Sequence, residues 1–516
     1  MVHFNTIVMN IVKTGDQTWQ NRHETFTESI KDLYELADEA ALDALGGYND
    51  ATLGFLNIIS QAIATQIPLR SLGSGWSWMK IATVNNGIML DTKPLNTVFD
   101  ITAGSVSTAY PGDPQNLLFA QSGNGIWELS AYLKGKSQSL KTSGASNGQT
   151  IAGAIGTGAH GSAFDFGAVQ DFVVGLHVAV GANRHVWLER ASAPVVSDAF
   201  IQSLQTVLIQ DDDLFNAVLV SFGSFGVVLG VMIETDPLFL LEGYNQRMPY
   251  DDSPSGTILK GIMQTLDFTN ANLPNGSERP FHFSVMINPY DMSNGVYVTS
   301  MYKRPYTTDY QPPVVNTAGL GPGDDAAAFI GLMTDALPAL VPGLVNKILG
   351  ASLTLYQKQF GTLSEFFSNT TLRGKLLSAA VGFPIANVNQ VIALMLDLNS
   401  TAGPFPGLFS FRFVKQTKAT MGFTRFPQTC VMELDAAYSD AVYNFYTQVW
   451  QKLEATGITF TFHWGKVNDL YPSRIANMYG DSAKAWIAAR NKLLDANTLP
   501  IFTNPLLQQW GLDTVL

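Results

Sequence analysis

The sequence predicts an α+β protein, and three observations carry that expectation: a helix, strand, glycine loop and strand in succession near the start, a glycine-rich central stretch, and a change of character after Asp236. Residues Ala51–Gln66 (ATLGFLNIISQAIATQ) place apolar side chains at helical spacing, and Ile67-Pro68-Leu69-Arg70 then reads as a short strand. Gly73-Ser74-Gly75 breaks it, and GIMLDTKPLNTVFDI, from Gly87, resumes strand patterning. From Lys141 to Gly167 the run KTSGASNGQTIAGAIGTGAHGSAFDFG holds too much glycine for a helix interior, and its small residues are too ordered for a linker. It reads as backbone laid against a ligand.

Strands are expected again at FVVGLHVAV and HVWLE, a helix near Asp211–Leu219, and a glycine-punctuated strand in SFGSFGVVLGVMIET. A domain change is placed near Leu238. Beyond it, Phe281–Ile287 and Val296–Tyr302 are strand-like, whereas Ala326–Leu398 is rich in leucine, alanine and valine at helical spacing. Pro338 and Pro342 interrupt that stretch, which suits either a buried, substrate-facing cap or simply the core of the second domain. GLFSFRFVKQTKATMGFTRFPQTCVMELD alternates as two strands, a helix follows over Ala441–Ala455, FTFHWGK closes the segment, and the tail returns to polar helix. No repeat with a period of about 20 to 50 residues is found.

Composition narrows the function. With 516 residues the chain is long for one core, so two domains, or one interrupted by another, are expected. Hydrophobic residues make up 46% and charged residues 14%, a globular balance. The net charge of −12 repels a phosphate backbone and argues against nucleic acid as a partner. The single cysteine, Cys430, excludes an intramolecular disulfide and a cysteine-rich metal site, which suits a reducing cytoplasm. The opening MVHFNTIVMNIVKTGDQ lacks the basic start of a signal peptide, and no apolar run of about 18 residues suggests a transmembrane helix.

Three segments combine glycine with polar or ionisable side chains. Arg70-Ser71-Leu72-Gly73-Ser74-Gly75-Trp76-Ser77-Trp78 could offer consecutive amides to a pyrophosphate, although a tight strand connection uses the same residues. Gly156-Thr157-Gly158-Ala159-His160-Gly161 matches the dinucleotide pattern G-x-G-x-x-G in letters only. Small residues precede it, and no acidic residue stands about 20 positions on, so a loop passing a flat ring explains it better. Gly135-Lys136-Ser137 resembles the end of a P-loop, but Ser130 stands where the earlier glycine is required. His463-Trp464-Gly465-Lys466 groups an imidazole, an aromatic face and an ammonium near a strand end. Among the seven histidines only His160 and His463 are flanked by glycine in this way, and no cluster suggests a metal.

Taken in order, RSLGSGWSW, GQTIAGAIGTGAHGS, GSFGVV and HWGK resemble the vanillyl-alcohol oxidase and p-cresol methylhydroxylase (PCMH-type) flavoprotein family, nearest its aldonolactone and alditol oxidase branch. The type II cholesterol oxidases also look related. The resemblance runs from Trp19-Gln20-Asn21-Arg22 to the C-terminal region, with the middle cap too divergent for residue transfer. It implies a two-part FAD-binding domain over 1–237, an inserted cap domain of antiparallel sheet and helices over 238–470, and a segment 471–516 returning to the FAD domain. By the same resemblance Ser71, Leu72, Gly73, Ser74, Gly75, Trp76 and Ser77 wrap the pyrophosphate. Thr150, Gly153, Thr157, Gly158, Ala159 and His160 line the flavin side, and Val228 offers backbone atoms to the adenine. Plain glycine-loop packing is the alternative for each.

Many relatives have, at the position of Trp76, a histidine bonded covalently to the flavin. Those with a cysteinyl link carry it where this chain reads Lys141-Thr142-Ser143-Gly144-Ala145. Non-covalent FAD is therefore expected, with a lower reduction potential than in covalent relatives. The resemblance assigns Arg412 and Lys466 to stabilising charge on the alkoxide or reduced ring, with His463 in support. The branch usually has an acidic residue two positions before that arginine, on the same strand face, but here the residue is Ser410. With the apolar cap, this shifts the expected substrate from polyols to a less polar alcohol of sterol, terpenoid or aromatic type. Gly144 and Ala145 stand where related oxidases keep space beside the flavin ring, so the resemblance implies O2 as acceptor, giving H2O2. A dehydrogenase, an oxidative cyclase, and a non-catalytic flavin-binding scaffold are the alternatives.

Overall fold

In the computed structural model, residues 11–36, 45–313, 334–349, 353–368 and 375–514 are described. They form an α+β architecture around three principal sheets. The four-stranded sheet has the order Ile11–Lys13, Asp32–Leu36, Ile88–Asp91, Leu69–Leu72, and its last two pairings are parallel. Parallel neighbours need a crossover, and the helix Leu45–Thr65 supplies it, burying Phe55, Leu56, Ile58, Ile59 and Ala62. That helix starts earlier than the spacing of Ala51–Gln66 suggests, and the strand expected at 67–70 lies at Leu69–Leu72.

The six-stranded sheet runs Val207–Gln210, Arg184–Glu189, Val173–Gly181, Val227–Glu234, Leu117–Gln121, Val98–Asp100, antiparallel except for its first pair. Tyr48, on the crossover helix, is locked to it by a buried hydrogen bond of 2.6 Å to His177 Nδ1, whose Nε2 lies 2.8 Å from His185 Nδ1. The eight-stranded sheet is antiparallel throughout: Tyr356–Gly361, Phe239–Met248, Val296–Pro305, His282–Ile287, Gly407–Lys415, Gln428–Ala437, Leu376–Pro384, Thr461–Phe462. Helices Pro254–Thr265, Val388–Ala402 and Asp440–Ala455 lie side by side and turn Leu259, Val391, Met395, Phe445 and Trp450 into the core.

Two expectations are corrected. Within the apolar run Ala326–Leu398, residues 326–333, 350–352 and 369–374 lie outside the described residues, but Tyr356–Gly361 and Leu376–Pro384 are strands, not helix. LLSAAVGFP is held between Gln428–Ala437 and Thr461–Phe462 and is buried along nearly its whole length. A strand with no wet face has no polar alternation, so its periodicity cannot be told from that of a buried helix. The second correction is Ile151–Thr157, a short helix inside the glycine-rich stretch. Thr150 caps it by accepting from the Gly153 N–H at 3.3 Å, and Ile151, Ala154 and Ile155 bury its other face.

Near the C-terminus, helix Asp481–Leu493 returns to pack on Asp212–Leu219, with Trp486 Nε1 donating to Val220 O at 3.0 Å. No helix of the described residues is long and apolar enough to cross a membrane. Cys430 is buried and free.

Arg70 ties this half together. Fully buried, its guanidinium donates to the carbonyls of Ile81, Phe222, Gly223 and Phe502 at 2.8 to 3.2 Å. Burial, and secondarily Arg490, lowers its pKa to about 9, so it remains a cation at neutral pH. Arg70→Met strands four carbonyl acceptors, and loss of such a network costs about 3 to 5 kcal/mol. Urea unfolding is the check: a midpoint unchanged from wild type would contradict this role.

Candidate active site

The loop after Leu69–Leu72 forms one wall of a long cavity lined by Ser71, Leu72, Gly73, Ser74, Gly75, Trp76 and Ser77. Among the described residues, none accepts a hydrogen bond from the backbone N–H groups of residues 73–77. Five successive donors without protein acceptors form a nest for an anion. The loop's carbonyls are engaged elsewhere: Gly75 O accepts from Arg22 N at 2.9 Å and Ser77 O from Asn21 Nδ2 at 3.1 Å. Its outward face is thereby pinned while its amides stay available. A Cβ on Gly73 would fall 2.2 Å from Thr150 Oγ1, so the close approach of the loop to the helix cap requires glycine.

The helix Ile151–Thr157 presents Gly153, Gly156 and Thr157 to the same cavity, three positions that share one face. Ala159 continues this wall and Val228 lines the cavity as well. The residues therefore fit an elongated, phosphate-bearing cofactor. Gly158 lies off the cavity; at φ +78° it is the left-handed cap that ends the helix. The helix enters Gly156-Thr157-Gly158 by its C-terminal end, the reverse of a Rossmann phosphate site.

A second cavity of about 380 Å³ adjoins the first; Trp76, Trp78, Gln149, Ala159, His463 and Lys466 line both. Met286, Val341, Leu344, Leu376, Leu377 and Leu408 make much of its wall apolar, and Gly144 and Ala145 lie along it. Trp76 is nearly buried, and a Cβ on Gly148 would fall 2.4 Å from its ring. Trp78 bridges the two halves of the molecule, donating from its backbone N to Gly465 O at 2.8 Å and from Nε1 to Leu376 O at 2.7 Å.

The polar end of this cavity gathers Arg412, His463, Lys466, His160 and Glu433. His160 therefore stands in the second cavity and not among the groups lining the first. Glu433 is the residue that sequence reading did not single out. Its carboxylate is buried, with Oε1 2.6 Å from Lys466 Nζ and Oε2 2.8 Å from Arg412 Nε. Ser410 lies directly opposite Glu433 in the strand pair, while Arg412 opposes Val431. Directly paired residues share a face, so the carboxylate missing at Ser410 arrives from the neighbouring strand and meets Arg412 diagonally. The available signal was Glu433 set between apolar residues in TCVMELD, but its partner depended on the register.

Burial alone would raise the Glu433 pKa, yet the charges of Arg412 and Lys466 overcome it and hold the carboxyl well below the usual range. Burial drives the His463 imidazole well down, and Lys466 adds to the effect. Burial likewise lowers His160 to about 4, partly opposed by Glu433. Both rings are neutral at pH 7.

Residues 55–189 match the family described as an FAD binding domain. Across 99% of both chains the fold matches cholesterol oxidase from Brevibacterium sterolicum, with a TM-score of 0.68 at 14% identity. Residues 55–189 thus carry an FAD binding domain, and the chain shares the fold of PCMH-type flavoproteins. A VAO-type flavoprotein of Myceliophthora thermophila shares the fold at a TM-score of 0.57 and 13% identity, over 90% of this chain and 78% of that one. In sequence, the chain is 26% identical over 234 residues to an L-gulono-1,4-lactone dehydrogenase of Mycobacterium tuberculosis, 45% of this chain and 44% of the relative. L-gulonolactone oxidase 3 of Arabidopsis thaliana is 30% identical over 158 residues, 30% of this chain and 23% of the relative. These matches thus span less than half of the curated relatives. The cofactor of the matched domain is FAD, and the anion nest and small-residue helix face suit it.

Glu433→Gln leaves Arg412 and Lys466 without their counter-charge, and a loss of about 3 to 5 kcal/mol at pH 7 is expected. Because the folded carboxyl is held below its unfolded value, its contribution is complete above about pH 4.3 and is lost as pH falls through the folded value. The stability gap between wild type and Glu433→Gln, read by urea unfolding, should be widest at pH 7 and narrow steadily in acid. A gap of equal size at pH 7 and pH 3 would contradict the pairing.

Proposed function

We propose that the chain is an FAD-dependent oxidase of a fairly apolar alcohol. One observation carries the reading: an apolar cavity ends in a charged cluster at the wall it shares with the cofactor cavity. A volume of about 380 Å³ with a few convergent polar groups suits a small organic molecule of terpenoid or aromatic size. The names of the relatives, oxidases and dehydrogenases of lactones and a cholesterol oxidase, support oxidation at a CH–OH carbon.

Bound FAD supplies the oxidant, accepting a hydride equivalent from the carbinol carbon. The nest at residues 73–77, flanked by Ser71 and Leu72, and the wall of Thr150, Gly153 and Thr157 would hold and orient it, with Val228 lining the same cavity. Arg412 and Lys466 bring two positive charges to the end where an alkoxide develops, facing the buried carboxylate of Glu433 and the more exposed Asp435, 3.9 Å from Lys466 Nζ. His463, donating from its outer ring nitrogen, supports that end. The apolar wall excludes water and strengthens these interactions. The division 1–237, 238–470 and 471–516 accords with sheet membership, since the eight-stranded sheet spans Phe239 to Phe462. The cytoplasm as location rests on the lone, buried Cys430.

Trp76 has no nucleophile to give, and Lys141-Thr142-Ser143-Gly144-Ala145 contains no cysteine, so the FAD is held without a covalent bond. Acid precipitation should leave all the yellow colour in the supernatant, whereas flavin mass on a peptide would refute this. Oxygen as acceptor is supported by Gly144 and Ala145 along the cavity, and a dehydrogenase reading by the name of the Mycobacterium tuberculosis relative.

Cinnamyl alcohol, geraniol and cholesterol should bleach the flavin anaerobically faster than xylitol or L-gulono-1,4-lactone, with H2O2 in step with product in air. Reduced enzyme that persists for minutes in air yet reoxidises at once with a dye would mark a dehydrogenase. Lys466→Met and Arg412→Met should each retain FAD but lose about a hundredfold to a thousandfold in flavin reduction. Losses below about threefold in both would remove them as the principal cations.

A further inference from the structure

We infer that His160, through its Nε2, takes the hydroxyl proton of the alcohol. The assignment rests on the oxidase reading of the site and adds the base that this reading requires. His160 Nδ1 lies 3.0 Å from Gly161 O. A carbonyl oxygen only accepts, so Nδ1 carries the ring proton and the lone pair is on Nε2. That atom is 3.8 Å from Glu433 Oε1, beyond hydrogen-bond reach, on the side of the ring nearest the Arg412 and Lys466 pairs.

The other groups at this end are unsuited to the task. His463 Nδ1 accepts the Gly465 N–H at 3.1 Å, which fixes the opposite tautomer, with a proton on Nε2 and nothing there to accept another. Glu433 is clamped between two cations and held ionised, which makes it a weak base. Asp435 is largely exposed and bonds Ser378 Oγ. The two imidazoles, 5.9 Å apart between ring centres, therefore present one acceptor and one donor.

The groups facing His160 are Glu433 and Arg412 from the two adjacent strands, His463 and Lys466 from the following loop, and the edge of Phe423 at 5.3 Å. In the reaction the O–H bond breaks and its proton goes to Nε2. The carbinol hydrogen would leave with its bonding pair, as a hydride, to the oxidised flavin held in the neighbouring cavity, and the electron pair freed from O–H would become the second bond of C=O. The imidazolium produced then faces the Glu433 carboxylate, which favours it. With the free ring titrating at about 4, the base form prevails across neutral pH.

The test is stopped-flow reduction of the bound flavin, without oxygen, by the fastest of cinnamyl alcohol, geraniol and cholesterol. The wild-type rate should be flat from about pH 5.5 to 9. His160→Gln and His160→Asn should be slower by about a hundredfold or more at pH 7 and should speed up with rising pH as alkoxide forms in the medium. FAD per chain and reduction by dithionite should stay at wild-type values in at least one variant. Rates within threefold of wild type in either FAD-replete variant would overturn the assignment alone. So would a wild-type rate rising tenfold per unit between pH 6 and 9, a result that needs no variant to fold. A wild-type flavin reduced by none of the three alcohols would overturn the oxidase reading and this assignment together.

Discussion

A carboxylate taken out of water must be met by cations, and Glu433 imposes that constraint on the polar end of the site. Its two oxygens fix Arg412, on the neighbouring strand, and Lys466, on the loop after Thr461–Phe462. Three separate stretches of chain are thereby held to one point. The loop is tied in turn to the cofactor cradle through Trp78 and Gly465. The ion cluster thus sets the distance between the sheet that forms the substrate wall and the loop that forms the phosphate nest.

The cradle uses a complementary device, unpaired donors in place of charge. Among the described residues nothing accepts from the amides of residues 73–77, while the carbonyls of Gly75 and Ser77 are held from behind by Arg22 and Asn21 and the closeness to Thr150 admits no side chain at Gly73. Orphan N–H groups cost free energy unless something accepts from them, and a pyrophosphate would satisfy that need. Arg70, just before the loop, serves the same end from the core by gathering carbonyls of four residues around one buried guanidinium.

Where the two cavities meet, the wall changes character over a few residues. Leucines, valines and methionine form much of the wall, and the ionic groups and two neutral imidazoles gather around Glu433. Such an arrangement orients an amphipathic molecule with its hydroxyl inward, since placing the hydroxyl against the leucines would leave it without a partner.

The sequence by itself determined the chemistry available. The glycine loop at 73–75, the absence of a nucleophile at Trp76, the alternation of GLFSFRFVK and the grouping HWGK were all legible, because each depends on local backbone needs or on side-chain identity. The strand character of LLSAAVGFP was not, because burial on both faces erases the period that would reveal it. Tertiary structure alone decided that Glu433 opposes Ser410. The pairing is set by the register of two strands joined through residues 416–427, and a slip of one residue would turn the carboxylate to the other face. It also decided which nitrogen of His160 and of His463 bears the proton, since the Gly161 carbonyl and the Gly465 N–H are brought to those rings by the folded chain.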